Sequence, residues 1–295
     1  MRIAVIVVNY NSFEDTTKYV RKITKYESIN RIIVVDNNST RIGELENLKQ
    51  VEDSKTTVIH SEKNKGYSYG NNFGVKYLEN EGEKYDYTII SNSDIEIEEN
   101  AIWECILFLE RNDDTAVTAP RMHNKNNVPV RRSGWRLRTF WLDVIHSTRI
   151  TELIFYFFLR KGEYSKKDYE NKKLEVEAIS GSFFIIKSNI FKEIKLFDEN
   201  VFLFYEEDIL GKKLKELDYK IYSINDVSFI HYESKTIGKM FSYYNKVKQL
   251  HKSKMYYQKQ YNKIKLWQIA IFELLYMVRH VELLFEIPIR KFLNR

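Results

Sequence analysis

Short apolar runs of strand length recur along the first part of the chain, at 2–8, 31–35, 56–59, 87–90 and 116–119. They are rich in β-branched residues. Apolar positions at helical spacing fill the intervals between them, at 14–26, near 43–50, and over 69–78 and 100–110. Runs that are apolar throughout, instead of alternating, mark strands covered on both faces. The pattern predicts a Rossmann-like α/β unit with a mostly parallel central sheet flanked by helices. Ligands of such sheets bind at the carboxyl ends of the strands. Polar clusters fall at those ends: Asn9-Tyr10-Asn11-Ser12, Asp36-Asn37-Asn38-Ser39 and Asn92-Ser93-Asp94.

The second half is less regular. Residues 175–187 read as a strand carrying Gly181-Ser182, 206–217 as a helix, and 220–230 as one or two strands. Residues 160–173 are charged and lack an apolar period, which predicts a loop. From Ile237 to Phe292 the pattern is nearly continuous helix, with a break expected near 261–263. No internal repeat occurs.

Composition narrows the classes. A chain of 295 residues suffices for one large α/β unit with an appendage. With 43% hydrophobic and 30% charged residues it is globular and not disordered. Aromatic content is 15%, with many aromatics after residue 135, while three prolines and ten glycines leave little material for linkers. The single cysteine, Cys105, excludes an internal disulfide and a cysteine-built zinc site and fits a reducing, cytoplasmic setting. A net charge of +6 points to anionic partners such as nucleotide phosphates, lipid phosphates or a membrane face. Nucleic acid is not expected, because no motif for it is present. The opening run turns polar at Asn9, too early for a secretory signal, and is expected to be the first strand.

Several clusters can carry chemistry. In Asn92-Ser93-Asp94 a carboxylate is held at a strand end, where it suits a hard cation. Mg²⁺ or Mn²⁺ needs only one or two protein oxygens when substrate phosphates complete its shell, and it would neutralise a diphosphate leaving group. The competing reading is an Asx-rich turn. Asp36-Asn37-Asn38-Ser39 offers short acceptors for a base or ribose edge, and Ser39 or Thr40 equally suits a helix N-cap. Between Asn64 and Asn72, Gly66 and Gly70 permit tight backbone geometry before a helix whose entrance can receive an anion. A plain turn into a helix fits the same residues.

Three adjacent carboxylates, Glu206-Glu207-Asp208, follow the aromatic run Phe202-Leu203-Phe204-Tyr205. Mutual repulsion and apolar neighbours raise a carboxyl's proton affinity, which tunes a general base. The alternative is an acidic helix N-terminus favoured by the dipole. His231, just past an apolar run, is either a metal ligand or a packed histidine. Arg131, Arg132, Arg136 and Arg138 flank Trp135 and either grip phosphate or form a solvated basic face.

Taken in order, these clusters together with Val7-Val8-Asn9-Tyr10-Asn11, Val34-Val35, Gly181-Ser182, Phe197-Asp198-Glu199 and Ile230-His231 resemble the motif series of family 2 glycosyltransferases. The likeness is to the rhamnosyltransferase-like branch that builds bacterial surface polysaccharides. It spans residues 1–235 and implies the GT-A fold, with a nucleotide-sugar half at about 1–120 and an acceptor half at about 121–235. Residues 236–295 would form an amphipathic helical extension. The resemblance implies an inverting, Mg²⁺- or Mn²⁺-dependent transfer from a dTDP- or UDP-sugar, rhamnose among the candidates, to a hydroxyl of a glycan or lipid-linked acceptor.

The resemblance also assigns roles. Asp36 would meet the nucleobase, with Asn9, Tyr10, Asn38 and Ser39 beside it. Asn64, Gly66 and Asn71 would hold the nucleotide. Asn92 and Ser93 lead to Asp94, the metal-binding end of the family's D-x-D motif. Asn92 stands where many relatives carry Asp, which leaves the metal to Asp94 and the diphosphate. His231 resembles the family's late metal or phosphate ligand. The base falls within Glu206-Glu207-Asp208. Counting from the aromatic run sets Glu207 opposite the usual Asp; reading Glu207-Asp208 as the Glu-Asp pair makes it Asp208, which is preferred at this point.

Two rivals remain. A sugar nucleotidyltransferase would show a glycine-rich phosphate loop after the first strand, where Asn9-Tyr10-Asn11-Ser12 has no glycine. A non-catalytic partner in a polysaccharide assembly complex would keep the fold and could lose the base, and the intact carboxylates argue against it.

Segment 266–285 is apolar but contains Glu273, Arg279, His280 and Glu282, which argue against a spanning helix. On a helical wheel Leu266, Ala270, Leu274, Met277, Val281 and Leu284 share one face; Lys265, Gln268, Arg279, Glu286 and Arg290 share the other. The apolar face either packs on the catalytic unit or a second subunit, or lies on the cytosolic face of a membrane. Lys259, Lys263, Lys265, Arg290, Lys291 and Arg295 favour peripheral contact with anionic lipid through 262–293. So does the run Phe155-Tyr156-Phe157-Phe158 beside Arg160 and Lys161. A homodimer is the other expectation.

Overall fold

The structure of the chain, a computed structural model, describes residues 1–156, 163–232 and 242–293, with side chains through 288. Its first part is an alternation of β1 (Ile3–Asn9), α1 (Phe13–Ile23), β2 (Arg31–Asp36), α2 (Glu44–Leu48), β3 (Thr56–His60), α3 (Tyr67–Asn80) and β4 (Tyr87–Ser91). β5 (Ile95–Ile97), α4 (Glu99–Arg111) and β6 (Thr115–Asn124) follow. Next come β7 (Gly134–Trp135), α5 (Phe140–Ile145), α6 (Arg149–Ile154), β8 (Lys173–Val176), β9 (Ala178–Ile179) and β10 (Phe183–Lys187). The chain ends with α7 (Ser188–Glu193), α8 (Glu206–Lys215), β11 (Lys220–His231), α9 (Tyr243–Gln260) and α10 (Leu266–Leu293).

The main sheet has the order β3-β2-β1-β4-β10-β6-β11-β5, with β8 also pairing β11. β3, β2, β1 and β4 are all parallel. Their apolar runs work because successive side chains serve opposite layers. Ile3, Val5 and Val7 enter one core with α1 and α4; Ala4 and Ile6 enter the other with α3 and α8. β10 then runs antiparallel between β4 and β6, so the sheet is parallel on one side and mixed beyond it.

The single strand expected over 175–187 is divided into three. β8 pairs β11, β9 leaves the main sheet to pair β7, and only β10 enters its centre. An apolar run does not reveal where a strand changes partners. The run over 220–230 is one strand with a register shift between Ile224 and Ser228; its first half pairs β8 and its second half pairs β5.

The helical break expected near 261–263 lies between α9 and α10, where Lys263 adopts a φ of 51°. The start of the expected helix, 237–241, lies outside the described residues, as do Phe157, Phe158, Arg160, Lys161 and Arg295. α9 docks on the α/β unit through Tyr257, which packs with Val201, Tyr205 and Ile209, and through Met255, which packs with Phe140, Val144 and Phe272. Among the described residues no helix is long and apolar enough to cross a membrane.

Candidate functional site

The carboxyl ends of β1, β2 and β3 are tied together by short polar side chains. Asn9 is fully buried. Its Nδ2 donates to Glu44 Oε1 at 2.9 Å and Ser39 Oγ at 3.3 Å, and its Oδ1 accepts from Thr16 Oγ1 at 2.7 Å. Asn9 is therefore a brace, and Ser39 completes it by accepting from the Asn11 amide at 2.9 Å. Asn38 takes the left-handed turn at φ 57° that brings Ser39 round. Asp36 is buried and lies 2.8 Å from His60 Nδ1, while its other oxygen accepts the Ser39 amide at 3.3 Å. A base can use only the lone pairs these donors leave. Tyr10 is half-buried beside this cluster in sequence.

The entrance of α3 adjoins these loops. Gly66 has φ 99°, and a Cβ there would lie 1.9 Å from the Phe202 carbonyl oxygen, so only glycine fits. Asn64 Oδ1 accepts the Gly66 amide at 3.0 Å, and Asn37 Nδ2 donates to the Gly66 carbonyl at 3.1 Å. Asn71 Nδ2 donates back to the Tyr67 carbonyl at 3.0 Å. Asn37 Oδ1, Ser68 Oγ and Asn71 Oδ1 are buried without a protein partner. Buried acceptors and hydroxyls left unpaired are costly, so a polar ligand or water belongs beside them.

At the end of β4, the Asn92 amide donates to the Ser182 carbonyl at 2.8 Å. Ser93 and Asp94 continue this half-buried turn into β5. β5 pairs β11 with Ile95 opposite His231, which sets His231 Nε2 3.3 Å from Asp94 Oδ1. The two residues singled out as metal ligands are thus brought together by strand register. No group of three His, Cys, Asp or Glu able to hold a metal occurs among the described residues. One carboxylate and one imidazole still fit Mg²⁺ or Mn²⁺, because those ions take their remaining ligands from phosphate and water.

The carboxylate triplet opens α8. The chain reaches it through Phe204 and Tyr205, both left-handed at φ 72° and 71°. Aromatic residues pay of order 1–3 kcal/mol each for such a backbone, so the surroundings must over-determine it. They do: buried Tyr205 donates its hydroxyl to Asp143 Oδ1 at 2.8 Å, and Gln258 Nε2 of α9 donates to Asp143 Oδ2 at 2.7 Å.

The three carboxylates then part. Glu206 is buried with Oε2 unpartnered; burial, then its neighbour Glu207, holds its carboxyl well above the usual range. Glu207 Oε1 accepts the Gly181 amide at 3.2 Å, and burial raises its pKa. Asp208 receives Trp135 Nε1 at 3.3 Å and the Arg138 amide at 3.2 Å, yet burial pushes it up to about 7.

Glu207 and Asp208 line a cleft of about 230 Å³ with Trp135, Arg138, Asp143 and Lys254. Gly181 links this cleft to the turn that bears Asp94. Its neighbour Ser182 receives the Asn92 amide, and its own amide holds Glu207.

The arginine quartet divides. Arg131 and Arg132 pair with Glu163 at 2.9 Å each, Arg136 lies over the Tyr164 ring at 5.0 Å, and Arg138 faces the cleft with Arg132. Asp143, His146 and Lys254 were not singled out from the sequence. Lys254 is buried, donates to Ser147 Oγ at 2.7 Å, and has its pKa lowered by that burial. The only signal in the sequence was Asp143, a lone charge inside the apolar stretch of α5.

Comparison with known proteins accords with this geometry. The family model described as Glycosyl transferase family 2 matches residues 4–195, nearly two thirds of the chain. The low-salt glycan biosynthesis hexosyltransferase Agl10 of Haloferax volcanii is 26% identical over 205 residues, covering 70% of this chain and 59% of its own length. Among solved structures, GalNAc-T7 with UDP, GalNAc and Mn²⁺ superposes at TM-score 0.60 and 14% identity, covering 78% of this chain and 43% of that one. Staphylococcus aureus TarS 1–349 with UDP-GlcNAc gives 0.56 and 16% over 96% and 73%. The mannosyltransferase PcManGT of Pyrobaculum calidifontis with GDP-Man and Mn²⁺ gives 0.53 and 14% over 93% and 73%. The fold is GT-A, with helices following it.

Proposed function

Because the chain belongs to glycosyl transferase family 2, we propose that it is an inverting hexosyltransferase that moves a sugar from a nucleoside diphosphate to a hydroxyl of a glycan or lipid-linked acceptor in the cytoplasm. The observation that carries this reading is the position of Glu207. It is a half-buried, proton-avid carboxyl in a cleft, joined through Gly181 and Ser182 to the turn bearing Asp94, beside His231.

The nucleotide would lie over the ends of β1, β2 and β3, where Asp36 offers an acceptor to the imide N–H of uracil or thymine and Tyr10 stands by. Asn64, Gly66 and Asn71 border it, and the unpaired Asn37, Ser68 and Asn71 atoms support a ligand there. Asp94 and His231 would hold Mg²⁺ or Mn²⁺, which supplies charge neutralisation of the leaving diphosphate. Glu207 takes the proton of the acceptor hydroxyl. Its Oε2 has no hydrogen-bond partner among the described residues, whereas both oxygens of Asp208 already accept N–H donors. The acceptor oxygen bonds to the anomeric carbon as the bond to the diphosphate breaks on the opposite face, which inverts the centre. Asp208 and Arg138 line the acceptor side and orient that hydroxyl.

Donor identity is tested by thermal shift against UDP-, dTDP- and GDP-sugars, dTDP-rhamnose included, with Mn²⁺. Saturation at a hundredfold above Kd stabilises by about 2.7 kcal/mol. The product's anomeric configuration, read by NMR, tests the displacement. No response to any donor would remove the assignment, and retention at the anomeric carbon would remove the direct displacement.

A further inference from the structure

α10 carries large apolar side chains on two sides, one buried and one exposed. Its exposed side carries Trp267, Leu274, Met277, Val281, Leu284 and Phe285, each more than half exposed. The side that faces the protein is mixed: Phe272 and Leu283 are buried there, beside a set of bonded polar groups. Arg279 is buried, with Nη1 donating to Glu282 at 2.7 Å and Glu286 at 2.8 Å, and Nη2 donating to Tyr243 Oη at 2.8 Å. Glu282 in turn accepts the Arg149 and Ile150 amides at 3.0 Å each. These directional bonds fix the rotation of the helix and leave an apolar stripe outward over roughly 27 Å. Glu273 sits at its edge, 3.6 Å from His251.

Neighbouring elements also expose apolar side chains. At the start of α10 Trp141 and Trp267 both edge onto Phe140, with ring centroids 4.9 and 5.7 Å away, and Trp141 is 62% exposed. Near its end α6, tied to Glu282, exposes Ile150, Leu153 and Ile154. Exposed apolar side chains gathered on neighbouring elements in this number mark an interaction face.

We propose that this face docks flat on an anionic lipid monolayer. Charge selects the occupant. Residues 236–295 hold twelve Lys and Arg against three Glu, while the other 235 residues hold 35 basic and 38 acidic side chains. The whole positive excess of the chain is thus in the segment that bears the stripe, with Lys259, Lys263 and Lys265 exposed at its near end. A second copy would bring the same excess against itself, whereas an anionic bilayer complements it. Exposed tryptophans at the rim and a long helix that does not span suit the interfacial plane. α6, α9 and α10 also wall the cavity that adjoins the cleft at Glu207 and Asp208, so docking sets the site at the bilayer surface.

The test is flotation of the full-length protein with phosphatidylcholine vesicles, with and without phosphatidylglycerol, at low salt. Two triple variants accompany it: Leu274→Glu with Val281→Glu and Leu284→Glu, and Lys259→Glu with Lys263→Glu and Lys265→Glu. All six positions are exposed, so both variants should keep the wild-type Tm. The wild type should float with phosphatidylglycerol vesicles. The apolar variant should lose tenfold or more of that partitioning, and the lysine variant about fivefold per residue, with its lipid preference gone. Wild type that stays unbound, or an apolar variant that floats equally well, overturns the proposal. A wild-type dimer that the apolar variant converts to monomer, with no flotation, gives the face to a second copy and overturns it too.

Discussion

Asp208 offers the sharpest quantitative check of the site. Burial lifts its carboxyl from the ordinary value near 3.8 to about 7. A group that binds its proton more tightly folded than unfolded makes the native state the more protonated one between these values. Its stabilisation is therefore full below about pH 4, falls as pH rises, and levels off above about pH 7. Each pH unit of displacement corresponds to about 1.4 kcal/mol, so the fall across the window is on the order of 4 kcal/mol. Asp208→Asn keeps the size of the side chain and stays neutral throughout. It presents an amide N–H to one of the two donors, Trp135 Nε1 or the Arg138 amide, which costs about 1–3 kcal/mol at every pH. The variant should be less stable than wild type near pH 4, should gain on it steadily toward pH 7, and should hold that gain above pH 7. Glu206 and Glu207 also sit above their usual range and steepen the slope of both proteins, so the difference between the two isolates Asp208. Urea unfolding at about four pH values measures it. Parallel stability curves for the two proteins would mean that Asp208 is ionised in the folded state, and the tuning argument would fail.

Three other outcomes are expected. Glu207→Gln should lower kcat ~100-fold or more with donor affinity kept, measured by initial rates and nucleotide titration; an unchanged kcat takes the base elsewhere. Asp94→Ala should nearly abolish transfer and its stimulation by Mn²⁺ while the Tm holds, because it removes charge stabilisation worth several kcal/mol; near-normal wild-type turnover in EDTA would refute metal dependence. Gly66→Ala should destabilise by ~3 kcal/mol or more, since its Cβ meets the Phe202 carbonyl at 1.9 Å and disturbs the Tyr67 amide bond to that oxygen. A wild-type Tm for that variant would show that the backbone there relaxes freely.

The elements that could be read in advance are those whose burial is one-dimensional. β1, β2 and β4 are buried almost throughout because both faces are covered, and α1, α3 and α4 carry a helical period. β5 has only three residues, and α5, α6 and α7 six each, too short to show a period. The antiparallel entry of β10 depends on partners that an apolar run does not name. In the site, Asp94 and His231 were legible as residue types, and only the β5–β11 register makes them neighbours. The choice between Glu207 and Asp208 stayed open because it turns on which carboxylate meets Gly181 and which meets Trp135 and Arg138. Lys254 and Gln258 lie on an ordinary amphipathic helix, and nothing in their spacing announces the cleft.

α10 shows a different limit. A helical wheel separates an apolar from a polar face, but it carries no sign: it does not say which face turns inward. Burial of the apolar face is the default because the hydrophobic effect usually outweighs what a polar face can gain. Here the polar face has built partners. Arg279, Glu282 and Glu286 meet Tyr243 and Arg149, which lie on α9 and α6 far away in sequence, and they form a connected set of charge-assisted bonds. Breaking that set to roll the helix over would strand a buried guanidinium, at a cost of roughly 3–5 kcal/mol. Six large apolar side chains remain in water, and covering them is worth on the order of 10 kcal/mol. Phe272 and Leu283 are buried beside that set, so apolar packing and polar bonding hold the same side of the helix inward. The orientation is intelligible once the helix has two neighbours, the protein body on its mixed side and the proposed lipid surface on its exposed apolar side.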